Sequence, residues 1–303
     1  MAFKQDRRNY ALGLALVLLG ALGFSIKSIL IKLAYAAGPG LDAITLLALR
    51  MLFSLPIFIM AALWHNLKAH PPALSKKEWL TVTLLGLDGY YLASFLDFAS
   101  LQYISAGLER VILFLYPTFV VLFSALLFRR RITAAVIAAL MLSYTGLVLV
   151  FLDHLPAASP NLRLGSALVL GSALVFAGFT MGSGVMVHKI GSFRFTAYTM
   201  TAAGIATLIH FAVLRGAALT GFSADVYGLA LLITIFSTVL PAFFMNAGIR
   251  RIGADFAAII STTGPIATLI FAYFLLDESI TGMQIGGTAL VLAGVYALGR
   301  SKT

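Results

Sequence analysis

Cysteine does not occur in the 303 residues, and tryptophan occurs only at Trp64 and Trp79. Without cysteine there is no disulfide framework and no thiolate metal site. Charge is scarce as well: Asp, Glu, Lys and Arg make up 11% of the chain, where a soluble domain carries about a quarter. The five histidines (His65, His70, His154, His188 and His210) are scattered. There is no H-E-x-x-H, G-x-G-D or G-x-S-x-G motif, no aspartate-rich prenyl-diphosphate motif and no Walker A loop. Enzyme chemistry, a resident metal or cofactor, and ATP as a power source are therefore not expected.

What remains is apolar: 61% of residues are hydrophobic and the mean hydropathy is +1.00. Apolar runs near the roughly 20 residues that cross a bilayer number ten. They lie at about 10–35, 42–64, 77–101, 105–128, 132–151, 163–187, 194–214, 225–249, 254–276 and 280–299. The fold class is all-α, a polytopic membrane protein. The first run follows Lys4, Arg7 and Arg8, but it is too long for a signal-peptide core and has no small-residue cleavage site. It is read as the first span.

A net charge of +10 could suggest nucleic acid, so the positions of the basic residues decide. With the N-terminus inside, fifteen fall on inside segments: Lys4, Arg7, Arg8, Lys68, Lys76, Lys77, Arg129, Arg130, Arg131, Lys189, Arg194, Arg250, Arg251, Arg300 and Lys302. Only Arg163 and Arg215 fall outside. This asymmetry orients the chain with both termini cytoplasmic and explains the basic balance without a polyanionic partner. Trp64 and Trp79 fall at the same cytoplasmic interface.

The chain repeats itself. "GLALVLLGALGF" at 13–24 matches "GSALVLGSALVF" at 165–176 at eight of twelve positions, offset by 152. "AGLERVILFLYPTFVVLFSALLFRRRIT" at 106–133 aligns without a gap on "ADFAAIISTTGPIATLIFAYFLLDESIT" at 254–281, offset by 148, with Pro117 on Pro265. Residues 1–153 and 154–303 are thus read as two five-span repeats within one structural domain. An odd span count makes the second repeat enter the membrane inverted, the design secondary transporters use to alternate access. A duplication without mechanical use, as in some channels, is the other reading.

Several features resemble the ten-helix EamA-type branch of the drug/metabolite transporter superfamily, over essentially the whole chain. They are Gly23-Phe24-Ser25 with Lys32, Arg50 in "LALRMLFSLPIFI", "ASLQYISAG" at 99–107, Pro117, Pro265, "LLDESIT" with Glu278, Gly286 and Gly294. The chain departs from that pattern at Leu22, where the family usually has tryptophan, and at Arg130, where the first repeat usually has a glutamate. The resemblance implies a transporter of the bacterial inner membrane, similar in character to the YddG-type amino-acid exporters. Relatives carrying sugars, nucleosides, cations or drugs make another solute class the alternative, and a passive channel is a further one. The implied partners are a small-molecule substrate and membrane lipid, without nucleic acid, and a monomer is compatible with all of this.

Seven ionisable residues lie within spans, all in the first four: Lys27, Lys32, Arg50, Asp88, Asp97, Glu109 and Arg110. Each costs roughly 2.5 to 3.5 kcal/mol at the bilayer centre unless it has a partner or water. At a helical rise of 1.5 Å, Asp88 lies about 20 Å from the outer surface, near mid-membrane, and Asp97 and Glu109 about 6 Å. Asp88 and Asp97 are separated by about 900° of helical rotation, which puts them on opposite faces. Asp97 reads as an ion-pair partner of Lys27 or Lys32. Asp88 either lines a cavity or pairs with Arg50 or Lys27. Glu109 reads as a gate or a helix-start charge at the outer mouth. Lys27 and Arg50 are either structural or bidentate-type partners of a substrate carboxylate.

"STTGP" at 261–265 and "FLYPT" at 114–118 are symmetry-related. Their hydroxyls either satisfy carbonyls freed by the prolines or mark broken helices that offer backbone groups to substrate. The site is expected between spans four and nine, lined by Asp88, Tyr90, Tyr91, Phe243, Phe244, Asn246, Thr262 and Thr263, with Lys27 or Arg50 beside it. Glu109, Pro117, Pro265, Gly178 and Gly182 are the candidate gate and hinge residues. Gly178 and Gly182 in G-x-x-x-G spacing read as close helix packing or as a flexing point, and Gly282, Gly286 and Gly287 read likewise.

Overall fold

A computed structural model describes residues 2–127, 134–154, 161–216, 219–252 and 263–300. All regular structure among them is helical. Seven helices are long and apolar enough to cross a membrane: Asn9–Ala37, Ala43–Ala69, Lys76–Ser100, Ala106–Phe123, Leu162–Val187, Ser192–Arg215 and Ala224–Met245. Three shorter apolar helices, Ile137–Asp153, Thr263–Leu276 and Gly282–Ala297, complete the set of ten. Each falls on one predicted run, and the first residues of the ninth run lie outside the described residues.

Polar contacts group the helix ends into two layers. On the side opposite the N-terminus, the far side, Arg215 pairs with Asp42 through Nε at 2.8 Å and through Nη2. There Lys32 Nζ also donates to the Ile104 carbonyl (3.0 Å) and the Thr281 hydroxyl to Asp153 (2.6 Å). On the near side Lys189 pairs with Glu78 (2.9 Å), and Asn66 bonds the Tyr198 hydroxyl (2.9 Å), which Trp79 covers at 4.8 Å. Spans two and three start from these layers with side-chain caps: Asp42 accepts from the Thr45 N–H, and Ser75 with Glu78 forms a capping box.

Asp42 also makes the far-side layer pH-dependent. Burial pushes its carboxyl up, but hydrogen bonds from Thr45 and the Arg215 guanidinium outweigh burial and hold it below the usual carboxylate value. A carboxyl depressed on folding contributes stability above its unfolded value, about 3.9, and loses it as pH falls through the folded value. The thermal midpoint is expected to drop below about pH 4, and Asp42→Asn to drop less over that window. Equal slopes in a melting series contradict this.

Without a hydrophobic drive between helices in lipid, close backbone approach supplies the packing. Spans five and ten meet glycine to glycine: a Cβ on Gly287 would stand 2.5 Å from the Gly146 carbonyl and 2.6 Å from Val150. Gly182 is closed off in the same way by Leu85, at 2.6 Å. Gly282 and Gly286 have no neighbour within 4 Å, so close packing, expected for all three glycines of span ten, holds only for Gly287. Gly287→Val is expected to cost about 1–3 kcal/mol by overpacking, read as a lowered thermal midpoint in detergent, while Gly286→Ala leaves it unchanged. Equal midpoints for the two variants contradict this packing.

Three spans are broken. Span four divides into Ala106–Leu113 and Tyr116–Leu127. Pro117 has no N–H for the Leu113 carbonyl, and the ladder tightens at Phe114–Leu115, where Leu115 N donates to Ile112 O (3.0 Å) and Thr118 N to Leu115 O (2.9 Å). Span three widens to a π-helix over Gly86–Leu92, with Ala93 N reaching Asp88 O, and span eight does so over Ile235–Val239, with Leu240 N reaching Ile235 O. The two π segments begin 149 residues apart, between the offsets of the two sequence alignments. π turns concentrate at functional sites.

Candidate functional site

The π turn of span three is clamped by its glycines. A Cβ on Gly86 would meet the Thr199 carbonyl of span seven at 2.5 Å, and one on Gly89 would collide with the Phe179 ring of span six. Between them, midway along the 25-residue span Lys76–Ser100, stands Asp88. Its side chain is half-buried, and among the described residues it has no hydrogen-bond or ionic partner. Its Oδ2 lies over Gly178 of span six, 3.4 Å from where a Cβ would stand, and no other described residue outside that helix comes within 4 Å of the position. Asp88 therefore lies half-buried between spans three and six. Of the two readings left open by the sequence, pairing with Arg50 or Lys27 is not seen among the described residues, where those cations have other partners.

The cations are engaged elsewhere. Lys27 Nζ pairs with Asp97 Oδ2 at 2.5 Å. Arg50 is 4% exposed, with its guanidinium 5.0 Å from the centre of the Phe98 ring and Nη2 3.3 Å from the Ser94 hydroxyl. Both occupy structural positions in this conformation. Glu109, read as a gate or a helix-start charge, lies in the first turn of Ala106–Leu113, fully buried, and accepts from the Ser28 hydroxyl at 2.5 Å.

The aromatic expectations divide. Tyr90 meets Phe179 edge-on at 5.0 Å, whereas Tyr91 turns to span seven, its hydroxyl 2.9 Å from His210 Nδ1. Phe243 stacks on Phe193 (5.3 Å) and Phe58 (6.2 Å) and is partly buried, as is Phe244. Thr263 opens the ninth helix half-buried, and Pro265 lies buried in its first turn. Thr262 and the Asn246 side chain lie outside the described residues.

Three aromatic residues had escaped notice in the sequence. Tyr116 meets Phe176 at 5.0 Å, and Phe176 meets Phe179 at 5.6 Å. They form a wall from the break in span four across span six to Tyr90 beside Asp88. The available signal was their position next to Pro117 and Gly178. A carboxylate in a low-dielectric space favours a cation, and ring faces add cation–π attraction and apolar contact. Together they suit an ammonium carried on an apolar body.

At the far end of span four, the Glu278 carboxylate accepts from the backbone N–H groups of Ala106 (3.0 Å) and Gly107 (3.3 Å). These are donors that a helix start leaves unsatisfied, and the helix dipole favours an anion there. Glu278, noted in the sequence only as part of a motif, thereby ties the loop after span nine to span four.

The EamA-like transporter family model matches twice, over residues 11–152 and 163–300. The chain belongs to this family. Among its relatives, the uncharacterized transporter YcbK of Bacillus subtilis (strain 168) is 33% identical over 295 residues, 95% of this chain and 94% of its own length. The uncharacterized inner membrane transporter YicL of Salmonella typhimurium is 25% identical over 260 residues, 82% of this chain and 83% of its own. A solved crystal structure superposes over 96% of this chain and 98% of its own with a TM-score of 0.64 at 16% identity, a likeness of fold. As an EamA-like protein the chain is a multi-pass membrane transporter and not an enzyme, and its substrate is a small molecule.

Proposed function

We propose that this protein is a secondary transporter that exports small metabolites, amino acids foremost, by alternating access of two inverted five-helix repeats, residues 1–153 and 154–303. It sits in the bacterial inner membrane with both termini cytoplasmic. The basic asymmetry of the segments favours that orientation, and the relative from Salmonella typhimurium carries the inner membrane in its name. The observation that carries the reading is Asp88: a carboxylate without a partner among the described residues, in a π turn at mid-membrane beside an aromatic wall. An intramembrane ionisable group marks a substrate or ion pathway. Here the ammonium of an amino acid meets Asp88, and its side chain lies on Tyr116, Phe176 and Phe179. The substrate carboxylate is assigned to backbone groups at the break in span four.

Proteoliposomes loaded with unlabelled amino acids test this through counterflow of labelled L-phenylalanine. Saturable exchange is expected, with phenethylamine, which keeps the ammonium and the ring, competing better than phenylacetate, which keeps the carboxylate and the ring. Conductance without saturation indicates a channel. Exchange inhibited by phenylacetate alone removes Asp88 from the binding role.

A further inference from the structure

Asp97 of span three and Glu109 of span four are 1% and 0% exposed, and adjacent residues of span one, Lys27 and Ser28, hold them side by side. One oxygen of each is engaged: Lys27 Nζ donates to Asp97 Oδ2 and the Ser28 hydroxyl to Glu109 Oε2, both at 2.5 Å. The other two, Asp97 Oδ1 and Glu109 Oε1, are buried and receive no donor from any described residue. The charged and titratable groups around the pair are Lys27 and Tyr35 on span one, Arg50 on span two and Arg110 on span four itself. Of these only Lys27 forms an ion pair, and it does so with Asp97.

Two neighbouring carboxylates in a low-dielectric interior are costly to ionise together, and a buried acceptor without a donor costs about 1–3 kcal/mol. A single proton relieves both penalties. Lys27 pairs with Asp97, so Glu109 is the carboxyl left to carry that proton.

We propose that Asp97 and Glu109 form a proton-binding site whose occupancy governs the far half of span four and so links transport to protons. This rests on the transporter reading above. The far half, Ala106–Leu113, is eight residues long and severed from Tyr116–Leu127 at Phe114–Leu115. It is held at its outer end by Glu278 and along its length by the bond from Ser28 to Glu109. With the proton bound, spans three and four are tied and the far side stays closed. When the O–H bond of Glu109 breaks and the proton passes to water, two anions face each other. The far half then moves away from span three and the Glu278 contacts yield. Asp88, half-buried and over Gly178 of span six, is left to the substrate.

The test needs no substrate. Infrared difference spectra of the full chain in nanodiscs, in H2O and D2O, read the carbonyl stretch of a protonated carboxyl. One such group per chain is expected near neutral pH, lost in Glu109→Gln, lost in Asp97→Asn, and kept in Asp88→Asn. The cysteine-free chain also accepts spin labels at Gln102→Cys and Ser279→Cys, both exposed far-side positions. Their separation is expected to lengthen from about pH 5 to about pH 9, where carboxyl protons are lost. With Glu109→Gln added, whose amide donates as the acid does, it stays short throughout. A wild-type spectrum without the band overturns the proposal, as does a band surviving both substitutions or a label separation indifferent to pH. If counterflow fails while band and distance behave as expected, the transporter reading falls and the proton site stands.

Discussion

Asp88→Asn is expected to lower amino-acid exchange by about 10- to 150-fold, the loss that follows when a charge-assisted hydrogen bond of about 1.5–3 kcal/mol is removed. Asparagine has the size of aspartate, and the backbone bond that shapes the π turn, Ala93 N to Asp88 O, does not involve the side chain. Gly86 and Gly89 still seat the turn against Thr199 and Phe179. The thermal midpoint is therefore expected to hold, since Asp88 makes no contact whose loss would destabilise the fold. Asp88→Glu keeps the charge but carries it one methylene further over Gly178, and a part of the flux returns. An Asp88→Asn protein exchanging phenylalanine at the wild-type rate contradicts the assignment of the ammonium to this carboxylate.

Lys27→Met has the largest expected effect on stability. Lys27 is 15% exposed and Asp97 2% on their side chains, so removing the lysine leaves a buried carboxylate without its counter-ion. Breaking a buried pair from one side costs about 3–5 kcal/mol. The midpoint should fall by roughly 6–20 °C on the scale of about 2–4 °C per kcal/mol. Lys27→Met with Asp97→Asn removes the orphaned charge together with its partner and should recover most of that fall. A double variant as unstable as the single one shows that the two residues act independently.

The ten spans were legible because lipid imposes a length and a composition that runs of about 20 apolar residues satisfy and little else does. Pairing of Asp97 with Lys27 or Lys32 was legible for the same reason: a charge at that depth needs a partner, and few are in reach; that the partner is Lys27 was not. Depth along one span does not say which way a side chain faces, and Glu109 shows it. It is a charge in the first turn of its helix, as one of the two readings had it, but its side chain turns inward to Ser28.

The π turns were not legible at all. In span three the widened turn lies where Gly86 and Gly89 meet spans seven and six, contacts that no local pattern encodes. That widened turn also shifts the helical phase, so neighbouring residues expected to share a wall do not. Asp88 faces span six while Tyr91 reaches His210 on span seven. Phe176 and Phe179 were passed over because aromatic residues are ordinary in apolar spans; only their neighbourhood with Gly178 and Tyr116 gives them a role.

Alternating access is tested most directly by a thiol at Gly178. Its Cβ position is 3.4 Å from Asp88 and otherwise open, and in a cysteine-free chain Gly178→Cys is a unique label. An impermeant maleimide applied to one side of the membrane at a time should reach it from each side in turn. A bifunctional cross-link between Asp42→Cys and Arg215→Cys, which closes the far-side contact between the repeats, should then abolish labelling from the far side and leave it intact from the near side. Labelling that continues from the far side after the cross-link, or that never occurs from one side in its absence, contradicts a carrier built on two opposed repeats.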